Sequence, residues 1–227
     1  NLFRGPRLSG ESAVAGTVPP ASSRRSSSRS GDREVISSRQ SRGLEQFFSY
    51  IRDQTGLTIL DLGGASQANV SFITNLGHKL YSVDLLRSME ETFGTDDLTE
   101  QSNPGRIDYL LRQNLDYPED TFDGVLVWDV LEYMAPALLS ATLERLHHIT
   151  KPTSYVLCFF HSDERAGTVP FYSFRIQDFN VLQVSQRGSR RPAQLFNNRT
   201  LEKLFQRFDS VKFFLTRENL REVIVKR

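Results

Sequence analysis

The chain has 227 residues, 28 Lys plus Arg against 27 Asp plus Glu, and 38% apolar side chains. A single cysteine excludes an internal disulfide framework and any paired-cysteine metal or redox site. No apolar run approaches the roughly 18 residues of a membrane span, and the near-neutral total argues against a surface built throughout for nucleic acid. A soluble, cytoplasmic globular chain of one to two domains is expected, without membrane attachment.

The charge is unevenly placed. Residues 1–43 hold eight arginines and eleven serines against Glu11, Asp32 and Glu34, a balance of +5, which leaves −4 for the rest. Such a segment has too little apolar surface to offset its ordering entropy, so residues 1–32 read as a disordered basic extension. The same composition fits an organelle transit segment or a nucleic-acid-binding arm. Order is expected from residue 33 to 227. Asp32 offers a helix cap there, and Leu44, Phe47, Phe48 and Ile51 recur at helical spacing before Gly56.

A first strand, Thr58–Leu62, runs into Gly63-Gly64 and a helix from Gln67 to about Leu76, closed by Gly77. A second strand, Lys79–Val83, ends at Asp84. Further strands are expected at Ile107–Leu111, Phe122–Trp128 and Ser154–Phe160, with helices at Ala135–His148 and Thr200–Phe208. Phe171–Ile176 and Val181–Val184 form a small hairpin inside an insertion at about 165–197. The closing strands Val211–Leu215 and Glu222–Val225 lie too near each other for a parallel crossover, so they pair antiparallel. The fold class is α/β: a Rossmann-like, mostly parallel sheet with helices on both faces and an antiparallel C-terminal hairpin.

Ligands of such sheets bind beyond the carboxyl ends of the strands. Gly63 and Gly64 let a ligand approach bare backbone, or simply make a tight turn. Asp84 is placed to accept from a ribose diol, or to cap a helix. Asp61 repels a pyrophosphate at this turn, and neither a dinucleotide fingerprint nor a P-loop lysine is present. The ligand is therefore read as a nucleoside with a cationic or zwitterionic tail.

Ile59-Leu60-Asp61-Leu62-Gly63-Gly64, Val83-Asp84, the stretch Pro118–Tyr133 and Leu146–Pro152 together resemble the class I S-adenosylmethionine-dependent methyltransferases of the small-molecule, type 11-like kind. The resemblance covers about residues 44–161 and implies S-adenosylmethionine as cofactor. It implies that Gly63 and Gly64 line the methionine moiety, that Asp61 faces its ammonium and that Asp84 holds the ribose hydroxyls. Asn114 and Leu115 then flank the adenine, with Trp128 and Asp129 beside the methionine and the substrate mouth. Ala65 and Gln67 replace two glycines of the family loop, Thr153-Ser154 replace a glycine pair, and Tyr133 stands where His is common.

The implied reaction is methyl transfer to an O or N acceptor of a small molecule, a transferase chemistry in which positioning lowers much of the barrier. His161 and Tyr133 are the candidate catalytic groups, with Asp129 and Asp163 orienting. His147 and His148 sit where a helix dipole favours them, and Cys158 reads as a buried small hydrophobe. No metal site is expected. The alternatives are a non-catalytic methyltransferase-like binding or scaffold domain, suggested by the depleted glycine loop, and an RNA methyltransferase using the tail and Arg187-Gly188-Ser189-Arg190-Arg191. A nucleic-acid partner is otherwise not expected.

Overall fold

The computed structural model describes residues 36–95, 97–216 and 219–227, and these open with a strand. β1 (Ile36–Gln40) precedes α1 (Arg42–Ile51), whose N-cap is Ser41; its hydroxyl accepts from the Leu44 N–H at 3.1 Å. The expected extension at 1–32 and the cap placed at Asp32 lie outside the described residues. The apolar stripe of α1 buries Leu44, Phe47, Phe48 and Ile51 as the spacing requires.

β2 (Thr58–Asp61), α2 (Gln67–Asn75), β3 (Lys79–Ser82), α3 (Leu85–Phe93), α4 (Pro104–Asn114) and β4 (Phe122–Trp128) follow. Then come α5 (Pro136–Ile149), β5 (Thr150–His161), β6 (Val169–Asp178), β7 (Val181–Arg190), α6 (Asn198–Leu204), β8 (Ser210–Leu215) and β9 (Leu220–Lys226). The strand expected at Ile107–Leu111 is instead the middle of α4. Asn103 caps that helix, its side-chain oxygen accepting from Gly105 N at 3.0 Å and Arg106 N at 3.4 Å, and Pro104 occupies the first turn. Ile107, Leu110 and Leu111 then form a helical stripe, while Tyr109 between them points to solvent. α3 was not anticipated from the sequence; Leu85, Met89 and Phe93 make its buried face.

The main sheet has the order β3-β2-β4-β5-β9-β8. β3, β2, β4 and β5 pair in parallel, and β9 inserts antiparallel between β5 and β8. Alternation along the strands divides the core. Leu60, Val125, Val127, Val156, Cys158 and Phe160 face α3, α4, α5 and α6, whereas Ile59, Leu126, Leu157 and Phe159 face α1 and α2. The second layer also contains a three-stranded antiparallel sheet, β1-β7-β6, so the expected hairpin of the insertion is longer than anticipated and gains β1. No helix among the described residues is long and apolar enough to cross a membrane.

One buried carboxylate ties the two sheets. Glu222 on β9 accepts from Gly43 N at 2.6 Å and faces Arg39 of β1 at 3.5 Å. Gly43 is small because a Cβ there would stand 2.8 Å from Leu157 Cδ1. Removing the carboxylate leaves the buried Gly43 N–H without its acceptor, so Glu222→Ala is expected to cost about 2 kcal/mol. Urea unfolding would read that loss as a lowered midpoint at unchanged slope.

Candidate functional site

The glycine turn and the acid at the end of the next strand form one unit. Gly63 bridges to Asp84, Gly64 N donates to Val83 O at 3.1 Å, and Gly64 has φ +86°. A Cβ on Gly64 would lie 3.2–3.3 Å from Cβ, Cγ and Oδ2 of Asp84, so the close approach requires glycine. Asp84 caps α3, with Oδ1 accepting from Arg87 N at 3.1 Å, and also lines a cavity. The helix-cap reading holds, and the same residue borders a cavity.

Asp61 is differently placed than expected. It is fully buried, and its carboxylate accepts from Trp128 Nε1 at 2.7 Å, Gly63 N at 2.9 Å and Asn69 Nδ2 at 2.9 Å. Burial raises its pKa above the usual carboxylate range, and the three hydrogen bonds, that from Trp128 foremost, oppose the shift. The indole of Trp128 lies against Gly63: a Cβ there would meet its Cδ1 at 2.7 Å. Trp128 has φ +59° at a register shift in β4, a strained conformation for a bulky residue. It is held by Asp61 and by Phe174, whose ring stacks on it at 5.0 Å. Asp61 is therefore enclosed by donors of the protein itself.

Around this turn lie two cavities of about 370 and 390 Å³. The first contains Gly63, Asp84, Leu86, Glu90, Trp128 and Asp129; the second runs along Gly63–Ala68. Ser173, Phe174 and Arg187 of the hairpin belong to both, so β6 and β7 form a wall common to the two cavities. Gln67 lines the second cavity and turns its amide to Ser71 at 3.0 Å. Asn114 and Leu115 line neither. Leu115 is fully buried, and Asn114 accepts from Ser88 Oγ at 2.8 Å and donates to Leu110 O at 2.8 Å. Their placement beside a ligand assumed a strand where the chain forms α4. A larger cavity, about 490 Å³, lies between α5 and α6 and holds none of the strand-end residues.

Behind Asp129 is a buried polar cluster. Glu132, not singled out from the sequence, accepts from the His161 backbone N–H at 2.5 Å and from His161 Nδ1 at 2.6 Å. Donation from Nδ1 to the Glu132 carboxylate orients the ring, with Nε2 on its opposite edge. Nε2 of His161 and the hydroxyl of Tyr133 are buried without hydrogen-bond partners. The Tyr172 ring lies beside His161 at 6.1 Å, and Tyr172 N donates to Asp129 Oδ2 at 3.3 Å. Burial raises the Tyr133 hydroxyl pKa, and Asp129 adds to it. Among the described residues no group of three His, Cys, Asp or Glu is placed to hold a metal ion, and Cys158 is buried.

Asp129 itself is pushed from the ordinary 3.8 up to about 7, by burial first and by the nearby Glu132 second. A carboxyl raised on folding favours the folded state less as pH climbs. Below its unfolded pKa it is protonated in both states, and between 3.8 and about 7 only the unfolded chain ionises. Asp129→Asn should therefore match the parent protein near pH 4 and be more stable than it at about pH 8, as read from urea midpoints at the two values. An equal difference at both would remove the assignment.

A family of methyltransferase domains matches residues 33–210. No curated protein matches the chain in sequence. Among solved structures, the chain is similar to the 1,6-didemethyltoxoflavin-N1-methyltransferase of Burkholderia thailandensis, crystallised with 1,6-didemethyltoxoflavin and S-adenosylhomocysteine. That pair has TM-score 0.46 and 12% identity over 82% of this chain and 76% of that one. It is also similar to a SAM-dependent methyltransferase of Archaeoglobus fulgidus, with TM-score 0.47 and 15% identity over 81% and 91% of the two chains. A third is Haemonchus contortus phosphoethanolamine N-methyltransferase 2 with S-adenosyl-L-methionine, at TM-score 0.47 and 11% identity over 82% of this chain and 52% of that one. Likeness of this degree assigns neither an acceptor nor a reaction. The match to the family spans more than three quarters of the sequence, and S-adenosylmethionine is the cofactor that goes with it. The chain belongs to this methyltransferase-domain family.

Proposed function

We propose that the protein transfers a methyl group from S-adenosylmethionine to an O or N acceptor of a small molecule. The observation that carries this reading is the convergence of Gly63, Gly64, Asp84 and Asp129 from three strand ends onto adjoining cavities roofed by the hairpin. The lining fits the donor. Asp84 offers a carboxylate to a ribose diol, Leu86, Val127 and Val130 supply apolar surface, and the Gly63-Gly64 turn leaves the backbone open to close approach. When bound, S-adenosylmethionine supplies a methyl group on a sulfonium.

The chain's own residues then position and deprotonate. Asp129 at the cavity wall faces the charged part of the donor, and the Phe171–Phe174 strand excludes water. His161, held by Glu132, is the base that takes an acceptor's proton at Nε2 if the acceptor enters beside Tyr172; Tyr133 is the second polar group at that point. A second reading, a binding module without turnover, draws on Trp128: its indole covers Gly63, and Asp61 has no oxygen left free of a protein donor. An RNA acceptor draws no support from Arg190, which pairs with Glu90 and lies over Tyr133 and Phe171.

Titration calorimetry with S-adenosylmethionine and S-adenosylhomocysteine is expected to show binding, weakened at least about tenfold by Asp84→Ala through loss of charged hydrogen bonds. Absence of binding would end the proposal, and unchanged affinity would remove the ribose role of Asp84. Transfer of labelled methyl to a small-molecule extract supports catalysis; binding without any transfer favours the module.

A further inference from the structure

The hairpin is regular except at one point. Phe171 pairs with Gly188 and Tyr172 with Gln186, so Arg187 is an extra residue in β7 with no partner across the ladder. A bulge breaks the alternation of side chains and re-aims the one at its centre. Gly188 beside it leaves space for the Phe171 ring, since a Cβ there would stand 2.7 Å from Phe171 Cε1. The result is that Arg187 lines both cavities, at their junction beside Gly63.

Asp84, Glu90 and Asp129 line the first cavity together with Arg87 and Arg187, and Arg175 and Arg187 line the second. Two neighbouring cations are engaged, Arg87 with Glu91 at 2.9 Å and Arg190 with Glu90, and Arg175 borders only the second cavity. Arg187 forms no ion pair with another described residue. We propose that Arg187 receives the carboxylate of the donor's amino-acid tail, so that the insertion, and not the glycine loop alone, completes the donor site. This rests on the donor reading above. A diol at Asp84 and a carboxylate at Arg187 orient the donor in one sense, because the reverse sets its carboxylate against Asp84 and Glu90. A guanidinium suits the role through its bidentate geometry.

The test compares two ligands by calorimetry: S-adenosylhomocysteine, which has the tail, and 5′-methylthioadenosine, which has the same nucleoside and thioether without it. Arg187→Gln is expected to weaken S-adenosylhomocysteine about tenfold or more and to leave 5′-methylthioadenosine within about twofold, with Arg187→Lys between the two proteins. Equal loss for both ligands would mean a general disturbance of the hairpin and overturn the assignment. No loss for S-adenosylhomocysteine would likewise overturn it, and would leave the guanidinium facing an anionic acceptor instead. If the unsubstituted protein binds neither ligand, the donor reading itself fails, and this inference with it.

Discussion

A buried carboxylate with three donors organises the molecule around its site. Asp61 closes β2, and its oxygens draw together the Gly63 N–H, the Trp128 indole and the Asn69 amide. None of these can be withdrawn cheaply, because an ionised group without partners in the interior is far more costly than the hydrogen bonds are individually worth. The strained backbone at Trp128 persists for the same reason: the indole is held by Asp61 on one edge and by Phe174 on its face.

The influence of Asp61 reaches the inserted sheet through Asn69. That amide donates to Phe174 O at 3.1 Å, and its oxygen accepts from Ile176 N at 2.8 Å, so β6 is bonded directly to α2. The hairpin is thus an integral wall of the cleft. Its other anchors are polar too: Arg190 reaches Glu90 on α3, and Glu222 holds β1 through Arg39. Such contacts fix direction as well as energy, which is what a wall presenting Phe171, Ser173 and Arg187 to one cleft requires.

Part of this was legible in the chain. The apolar strands at 58–62, 79–83, 122–128 and 154–160, the closing hairpin and the strand-end positions of Gly63-Gly64 and Asp84 could be read because each is local: a period of two, a glycine turn, a fixed spacing. The misread segment, Ile107–Leu111, shows the limit. A short apolar run suits a strand or a buried helix equally, and the decision came from Asn103 and Pro104 just before it. β1 was missed because Ile36–Gln40 is polar in sequence and becomes a strand only by pairing with β7.

By itself, the sequence determined the α/β class, the order of the strand ends and the residue types offered at each, since these follow from periodicity and spacing along one chain. It did not determine which of those residues line a cavity. Asp61 and Asp84 are the same side chain at the ends of neighbouring strands, yet one is enclosed by Trp128, Gly63 and Asn69 while the other lines a cavity. That difference arises from partners as many as 67 positions away, and from a bulge that turns Arg187 toward the same cleft. Burial and hydrogen-bond satisfaction are properties of the packed chain, so only the tertiary structure could decide them.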